Sequence, residues 1–350
     1  METIARTRGP EGQYGRSNGH KGYMRYSVTQ ESFETLTSYW SDHANGLNWD
    51  CLFVLPNWLG AWWHEFGENL DLNILAIKKD GELTGIAPLF RVENGVSLIG
   101  HADVCDYLDF ILVPGREKEF FGALLDHLSE RGVSRLDLGP LRPESPVLSK
   151  LVGLTPKVGG HASCEVEDVS FEIDLPATWG DYLLLLTGKQ RHEVRRKLRR
   201  MHEAAKITFR VVDDIDAAGA ALDTFITLFG KNRADKAAFM NSRMASFFRA
   251  LATSMARVKL LKIAILSVDD APAAAAMCFD YRSTMYLYNN GYDDRFARLS
   301  VGQLCKVLSI KDSIQRGRKR YDLLKGNEGY KPRLGGKEIP IHRCDITLSV

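Results

Sequence analysis

No run of apolar residues in this chain is long enough to cross a bilayer: the longest, "LLKIAILSV", has nine residues and carries Lys262 inside it. Nor is there an excess of one charge. Forty-six Lys and Arg against forty-four Asp and Glu leave a formal charge of +2, which excludes wholesale binding to nucleic acid or to a membrane surface but leaves room for a local basic patch. The six cysteines (Cys51, Cys105, Cys164, Cys278, Cys305, Cys344) contain no CxxC pair, so a zinc ribbon or dithiol redox motif is excluded. Scattered, and mostly in apolar stretches, they are expected as buried thiols in a reducing compartment. There is no HExxH, Walker loop or GxSxG, and His192 and His202 have no metal-ligand spacing with any other donor, so no metal is expected. The first 24 residues have no apolar h-region and read as a disordered tail, not a secretion signal. A cytoplasmic protein is the resulting expectation.

What is present is a globular composition, 45% hydrophobic over 350 residues, which is more than one core usually serves, so two domains are expected. The first half reads "DLNILAIKK", a turn at Asp80 and Gly81, and "ELTGIAPLF", a β-hairpin. A second hairpin is expected from "VSLIG" and "DYLDFILV". A helix over "REKEFFGALLDHLSERG", with Phe120, Leu124 and Leu128 on one face and Gly132 as C-cap, then leads to the strand "SRLDLGPL". The second half repeats that order: "KLLKIAILSV", a turn at Asp269 and Asp270, "PAAAAMCFDY", "STMYLYNNGYDD", a helix "VGQLCKVLSIKDSIQRG" and the strand "KRYDLLKG". Arg131 to Leu138 ("RGVSRLDL") aligns with Arg316 to Leu323 ("RGRKRYDL") at the same helix-to-strand junction, so a tandem duplication is the economical reading. The Pro-, Gly- and Ser-rich stretch from 143 to 168 is expected to link the halves. The fold class is α/β (α+β), two units over 25–160 and 161–350, each a mostly antiparallel mixed sheet flanked by helices.

Four stretches carry candidate chemistry. Ser300 and Gln303 have capping-box spacing, which predicts a helix N-terminus at "SVGQ" with Arg295 and Arg298 beside it. Free N–H groups and the helix dipole there suit a pyrophosphate, so Arg295, Arg298, Ser300, Val301, Gly302 and Gln303 are candidate cofactor contacts; a capped, solvated helix end fits the same residues. The counterpart "VPGREKE" has two glutamates where an anion would need donors. Strand alternation in "DVCDYLDF" puts Tyr107 and Asp109 on one face and Asp106 on the other, either lining an acceptor cleft between the units or solvating a strand edge. In the helix expected over 188–206, Val194, Leu198, Met201 and Ala205 form a docking stripe, leaving Arg191, Arg195 and their neighbours as a basic outer face for phosphate, for RNA or simply for water. Last, "YDLLKGNEGYKPRLGG" leaves a buried strand and packs Lys325, Asn327, Glu328, Tyr330 and Lys331 between glycines.

The order strand, anion loop, helix, strand after an antiparallel sheet resembles the GNAT acyltransferase fold. More narrowly, "YNNGYDDRFARLSVGQ", "YDLLKGNEGYKPRLG", "DYLDF", "APLF" and "GKQRHEVRRKLRRMHE" resemble the CelD-type acetyltransferases found with bacterial polysaccharide genes. Asn327 stands where that family often has aspartate. The resemblance implies two tandem GNAT-like domains and acetyl-CoA (or another acyl-CoA) as co-substrate, bound by the second. It also implies transfer to an amine or hydroxyl of a sugar-linked acceptor by direct attack in a ternary complex. Acyl transfer needs proton steps, for which Glu328 would be the base and Tyr330 the acid, with Lys325 and Lys331 holding an anionic substrate or acidifying the phenol. These proteins are similar in turn to Fem-type transferases, which use aminoacyl-tRNA; a tRNA partner, and a non-catalytic binding or scaffold role, are the alternatives.

Overall fold

The computed structural model describes residues 26–100, 103–231 and 238–349; the expected tail lies outside them. Strand β1 (Tyr26–Gln30) precedes two helices, α1 (Phe33–Ser41) and α2 (Pro56–Phe66), the latter opened by Pro56 where a helix needs no N–H. The hairpin of β2 (Asp71–Lys79) and β3 (Glu82–Val92) forms as expected, because Asp80 and Gly81 both take positive φ (52° and 87°), the conformation a two-residue hairpin turn requires. The second expected hairpin does not form. After β4 (Gly95–Leu98) the chain leaves the sheet, and only Ile111–Leu112 (β5) returns, pairing β3 instead. Val104, Cys105, Tyr107, Leu108 and Phe110 are all buried, so the apolar character of this segment reflects packing and not pairing.

Helix α3 (Glu117–Glu130) feeds β6 (Arg135–Leu141), which lies parallel to β4. The stretch expected as a linker is instead ordered: Val147, Leu151 and Thr155 are buried in a run of helical turns, and β7 (His161–Asp174) begins directly after. Helices α4 (Trp179–Leu185) and α5 (Gly188–Ala204), β8 (Ile207–Val212), α6 (Ile215–Lys231) and α7 (Ser242–Arg257) follow. Then come β9 (Leu261–Val268), β10 (Ala271–Tyr281), β11 (Thr284–Tyr292), α8 (Val301–Gln315), β12 (Arg320–Lys325), the single turn α9 (Tyr330–Arg333) and β13 (Lys337–Thr347). The β9–β10 turn repeats the β2–β3 chemistry, with Asp269 and Asp270 both at positive φ (47° and 64°).

One mixed, mostly antiparallel sheet results, in the order β1-β2-β3-β4-β6-β13-β7-β12-β11-β10-β9-β8. The repeat shows in its two wings: β4 is parallel to β6 as β11 is to β12, and the glycines that end α3 and α8, Gly132 and Gly317, share φ of 72°. At the centre β13 pairs with both β6 and β7, so the last strand of the chain lies beside the first wing. An aromatic cluster joins the wings on one face: the Trp58 ring sits 5.1 Å from Phe279 and 5.2 Å from Tyr288.

Two cysteines depart from the expectation of buried free thiols. Cys164 and Cys344 are directly opposed on β7 and β13, 4.2 Å apart at Cα, and form a disulfide. Opposed antiparallel residues bring their side chains together whatever their distance in sequence, which spacing along the chain cannot reveal.

Candidate functional site

The pairing of β11 with β12 stops early. It covers Thr284 with Arg320, Met285 with Tyr321 and Tyr286 with Asp322, after which the strands part. Two irregularities drive the separation. Strand β11 carries an extra residue at Tyr288 opposite Met277 and Cys278, and β12 bulges at Leu323–Leu324, with Leu324 at φ 61°. The freed end of β12 is tied sideways: Leu324 N–H donates to Asp322 Oδ1 (2.8 Å), Lys325 N–H to Asp106 Oδ1 (3.0 Å) and Gly326 N–H to the Val169 carbonyl (2.8 Å).

On one side of this gap lies a cavity of about 230 Å³ lined by Tyr292, Ser300, Val301, Gly302, Gln303, Lys306, Tyr330 and Arg333. The expected capping box is absent, because Ser300 takes positive φ (58°) and its side chain caps nothing, while Gln303 Oε1 accepts from Lys197 Nζ (2.6 Å). The first turn of α8 therefore meets the cavity with no side-chain cap, as an anion-binding helix end would. The box that does form is Thr187 with Gln190 at the start of α5. Gly302 brings the helix against Tyr292, since a Cβ there would lie 2.6 Å from its ring. Positive charge comes from two residues that the sequence did not single out, Arg333 and Lys306, and from Arg200 of the expected basic helix, which donates to the Arg298 carbonyl (2.6 Å) beside the cavity.

Tyr330 completes the wall. Burial, with the charge of Glu328, pushes its phenol above the ordinary value against a hydrogen bond with Asn290, so it carries its proton at neutral pH. Lys306 Nζ lies 4.4 Å from the ring centroid. Asp106 approaches the same loop from the first wing. Burial raises its carboxyl to about 6, opposed by the charge of Lys325 and the Lys325 N–H, and Tyr330 and Tyr288 both feel its charge. A carboxyl poised near neutrality and a protonated phenol are the complement an acyl transfer needs for its two proton steps.

A second cavity, about 520 Å³, opens between the wings and is lined among others by Cys51, Tyr107, Asp109, Arg142, Glu172 and Tyr286. Its floor is a buried charge network. Arg142 Nη1 lies 2.5 Å from Glu172 and 3.5 Å from Asp322, Arg320 lies 3.5 Å from Glu172, and Tyr107 Oη donates to Asp322 Oδ1 (2.9 Å). Burial and the Glu172 charge hold the Asp322 carboxyl up at about 7 despite Arg142. Burial likewise raises Asp109 to about 7, against the Phe110 N–H and the Ser145 hydroxyl. Sequence reasoning passed over Arg142, Glu172 and Asp322. The signal was there: in "SFEIDL" Glu172 alternates with buried Phe171 and Ile173, which puts a carboxylate on the opposite sheet face.

The structure thus gathers Ser300, Val301, Gly302, Gln303 and Tyr330 in the smaller cavity, and Tyr107 with Asp109 in the larger. Strand alternation fails for the latter segment, which is not a strand: Asp106 and Tyr107 both reach β12, whereas Asp109 turns back to Ser145 (3.0 Å). Arg295 and Arg298 lie outside both walls, Arg295 bound to Asp293 (2.8 Å) and Arg298 exposed. Lys331 is 1% exposed, and its ammonium donates to the carbonyls of Leu324, Lys325 and Gly326 (2.9, 2.7 and 2.9 Å), so it clamps the loop and has no proton left for a substrate. Glu328 sits on the outer side of that clamp, 2.9 Å from Lys331 and half exposed. Lys325 is half-buried and Asn327 exposed beside it; Arg195 is exposed on the outer side of α5 and Arg191 half-buried on its flank, and neither lines a cavity. Among the described residues no group of three or more His, Cys, Asp or Glu is arranged to hold a metal ion.

Residues 188–332, from α5 into α9, match the family model described as "Acetyltransferase (GNAT) domain". No curated protein matches the chain. Among solved structures the fold is similar to that of FemX (12% identity, TM-score 0.62), with 91% of this chain and 96% of that one covered. It is also similar to a protein of unknown function from Bacteroides thetaiotaomicron (11% identity, 92% and 100% covered, TM-score 0.58). A third likeness is to the C-terminal domain of a putative lysylphosphatidylglycerol synthetase from Agrobacterium fabrum (11% identity, 79% and 83% covered, TM-score 0.52). At these identities the likeness is one of fold. No helix of the described residues is long and apolar enough to cross a membrane.

Proposed function

We propose that this chain, whose residues 188–332 match the family model described as "Acetyltransferase (GNAT) domain", transfers an acyl group from acyl-CoA to a polar acceptor, with the proposed units at 25–160 and 161–350. The observation that carries the reading is the parting of β11 and β12 beside an uncapped helix end, with Tyr330 at the mouth. Acyl-CoA would supply the activated thioester. Its pyrophosphate suits the first turn of α8 with Arg333 and Lys306 as counter-charges. Tyr330 would protonate the leaving thiolate, and Asp106, in place of Glu328, would take the proton from the attacking amine or hydroxyl. The larger cavity, whose network of Arg142, Glu172 and Asp322 fixes its floor, would receive the acceptor. A sugar-linked acceptor in polysaccharide or cell-envelope synthesis follows from the CelD-type resemblance.

Calorimetric titration with acetyl-CoA tests the donor. Wild type should bind, and Arg333→Glu should bind at least tenfold more weakly. If neither binds acetyl-CoA while tRNA binds with steep salt dependence, the Fem-type reading replaces this one. That second reading rests on the likeness in fold to FemX.

A further inference from the structure

Two consecutive leucines lie bare on the surface: Leu184 is 66% and Leu185 59% exposed. They end α4, in which Tyr182 and Leu183 are buried and Leu186 just after it is buried too, so "YLLLL" supplies more apolar side chains than its one inward face can take. Single exposed apolar residues are ordinary, but a consecutive pair is not, and the exposed carboxylate on the same turn, Asp181, is held by the Thr178 hydroxyl (2.7 Å). Beside them Trp179 is half-buried and stacks on Tyr182 at 5.1 Å.

The chain then enters α5, where Val194 and Met201 are buried and the opposite stripe of Lys189, His192, Arg195 and Arg199 is exposed. Acidic residues neutralise only part of this helix: Glu193 takes Arg196 and Lys197, and Glu203 lies 3.7 Å from Arg199. Lys189, Arg191 and Arg195 form no ion pair among the described residues. Bare leucines, a half-buried tryptophan and a cationic helix face therefore follow one another within about two dozen residues, the composition of an element that lies in a bilayer interface.

We propose that Leu184, Leu185 and the outer face of α5 dock this protein on a lipid bilayer carrying anionic headgroups. The cations supply attraction to the charged surface and the leucines supply insertion. RNA would use the same cations but gains nothing from aliphatic side chains, since its affinity for such a face comes from phosphate contacts and its stacking needs aromatic or guanidinium planes. The near-neutral net charge is no obstacle, because charges more than a Debye length away are screened. Docking would place the smaller cavity near the membrane, as α5 is fastened to its rim through Lys197 to Gln303 (2.6 Å) and Gln190 to the Pro332 carbonyl (3.4 Å).

The test is sedimentation of the full chain with phosphatidylcholine vesicles, with and without phosphatidylglycerol, at low and high salt. Wild type should partition onto the phosphatidylglycerol vesicles and only weakly onto phosphatidylcholine alone. Leu184→Ser/Leu185→Ser should lose at least about tenfold in partition, and Arg195→Glu/Arg199→Glu should lose more than about fivefold for each charge removed along with the lipid selectivity. All four side chains are exposed in the fold, so both variants should melt with wild type. Wild type that ignores phosphatidylglycerol overturns the proposal. So does partition that survives the leucine substitutions, or total tRNA binding that is unaffected by them while vesicles are not bound.

Discussion

Replacing Lys331 by methionine keeps the length of the side chain and removes its charge from a site that is 1% exposed. Three carbonyl oxygens, those of Leu324, Lys325 and Gly326, then lose a donor at 2.7–2.9 Å. Each buried acceptor left unpaired costs about 1–3 kcal/mol. Against this stands relief from burying an ammonium, so the net loss should be about 3–5 kcal/mol, the range for breaking a buried charged contact from one side. That is a large part of the roughly 5–15 kcal/mol by which a domain is stable. Guanidinium unfolding followed by far-ultraviolet circular dichroism reads it directly. Glu328→Gln is the internal control: its carboxylate lies 2.9 Å from the same ammonium but is half exposed, so its loss should cost less than about 1 kcal/mol. A Lys331→Met protein within about 1 kcal/mol of wild type would mean that the three carbonyls find other partners, and the clamp reasoning would fail.

Tyr330→Phe should lower turnover about 10²–10⁴-fold while acetyl-CoA affinity by calorimetry stays close to wild type, since only the proton donor is lost; unchanged turnover would take Tyr330 out of the acid role. Asp109 holds its proton to about pH 7 in the fold but only to its ordinary value when unfolded, so between about pH 4 and 7 the folded state binds the extra proton and wild-type stability falls as pH rises, by up to about 1.4 kcal/mol per pH unit for this group. Asp109→Asn should lose that part of the slope in urea titrations across the range; an identical slope would refute the burial argument. Thiol titration of the oxidised, denatured chain should find the four free cysteines, rising to six after reduction. Because the Cys164–Cys344 bridge spans 180 residues, reduction should destabilise by up to about 5 kcal/mol in the chain-entropy picture.

Much of the fold was legible because it rests on local chemistry. The Asp-Gly and Asp-Asp turns, the inward stripe of α3 and the repeated helix-to-strand junction each involve neighbours in sequence, and the matching φ of Gly132 and Gly317 shows the same helix end built twice. The failures share one cause, long-range partnership. "DYLDFILV" has the composition of a strand, yet Tyr107 bonds to Asp322 and Asp106 to the Lys325 N–H, across more than two hundred residues of chain. Ser300 and Gln303 have the spacing of a capping box, but Lys197 claims Gln303 from another helix. Lys331 is expected from the acyl-transfer reading to hold an anionic substrate or acidify Tyr330; only the path of the loop shows three carbonyls converging on it.

The two wings differ in a way that supports placing the proposed chemistry in the second. Both open a gap where their parallel pair diverges, after Ser97 and Asp137 in the first and after Tyr286 and Asp322 in the second. In the first wing Leu108 closes it: its N–H donates to the Pro140 carbonyl at 2.7 Å, and its side chain packs so near Gly100 that a Cβ there would lie 2.7 Å away. The adjoining helix end is also spent, since Glu117 accepts from the Gly115 N–H and Arg116 is paired with Glu82 and Glu119. Among the described residues the second wing receives no such plug. Its freed strand end is held by Lys331 and by Asp106 from the other wing, which keeps the gap open instead of filling it. In the proposed reaction one copy of the repeat thus serves as a scaffold that holds Asp106 against the freed strand end of the other, so neither half alone would be expected to act.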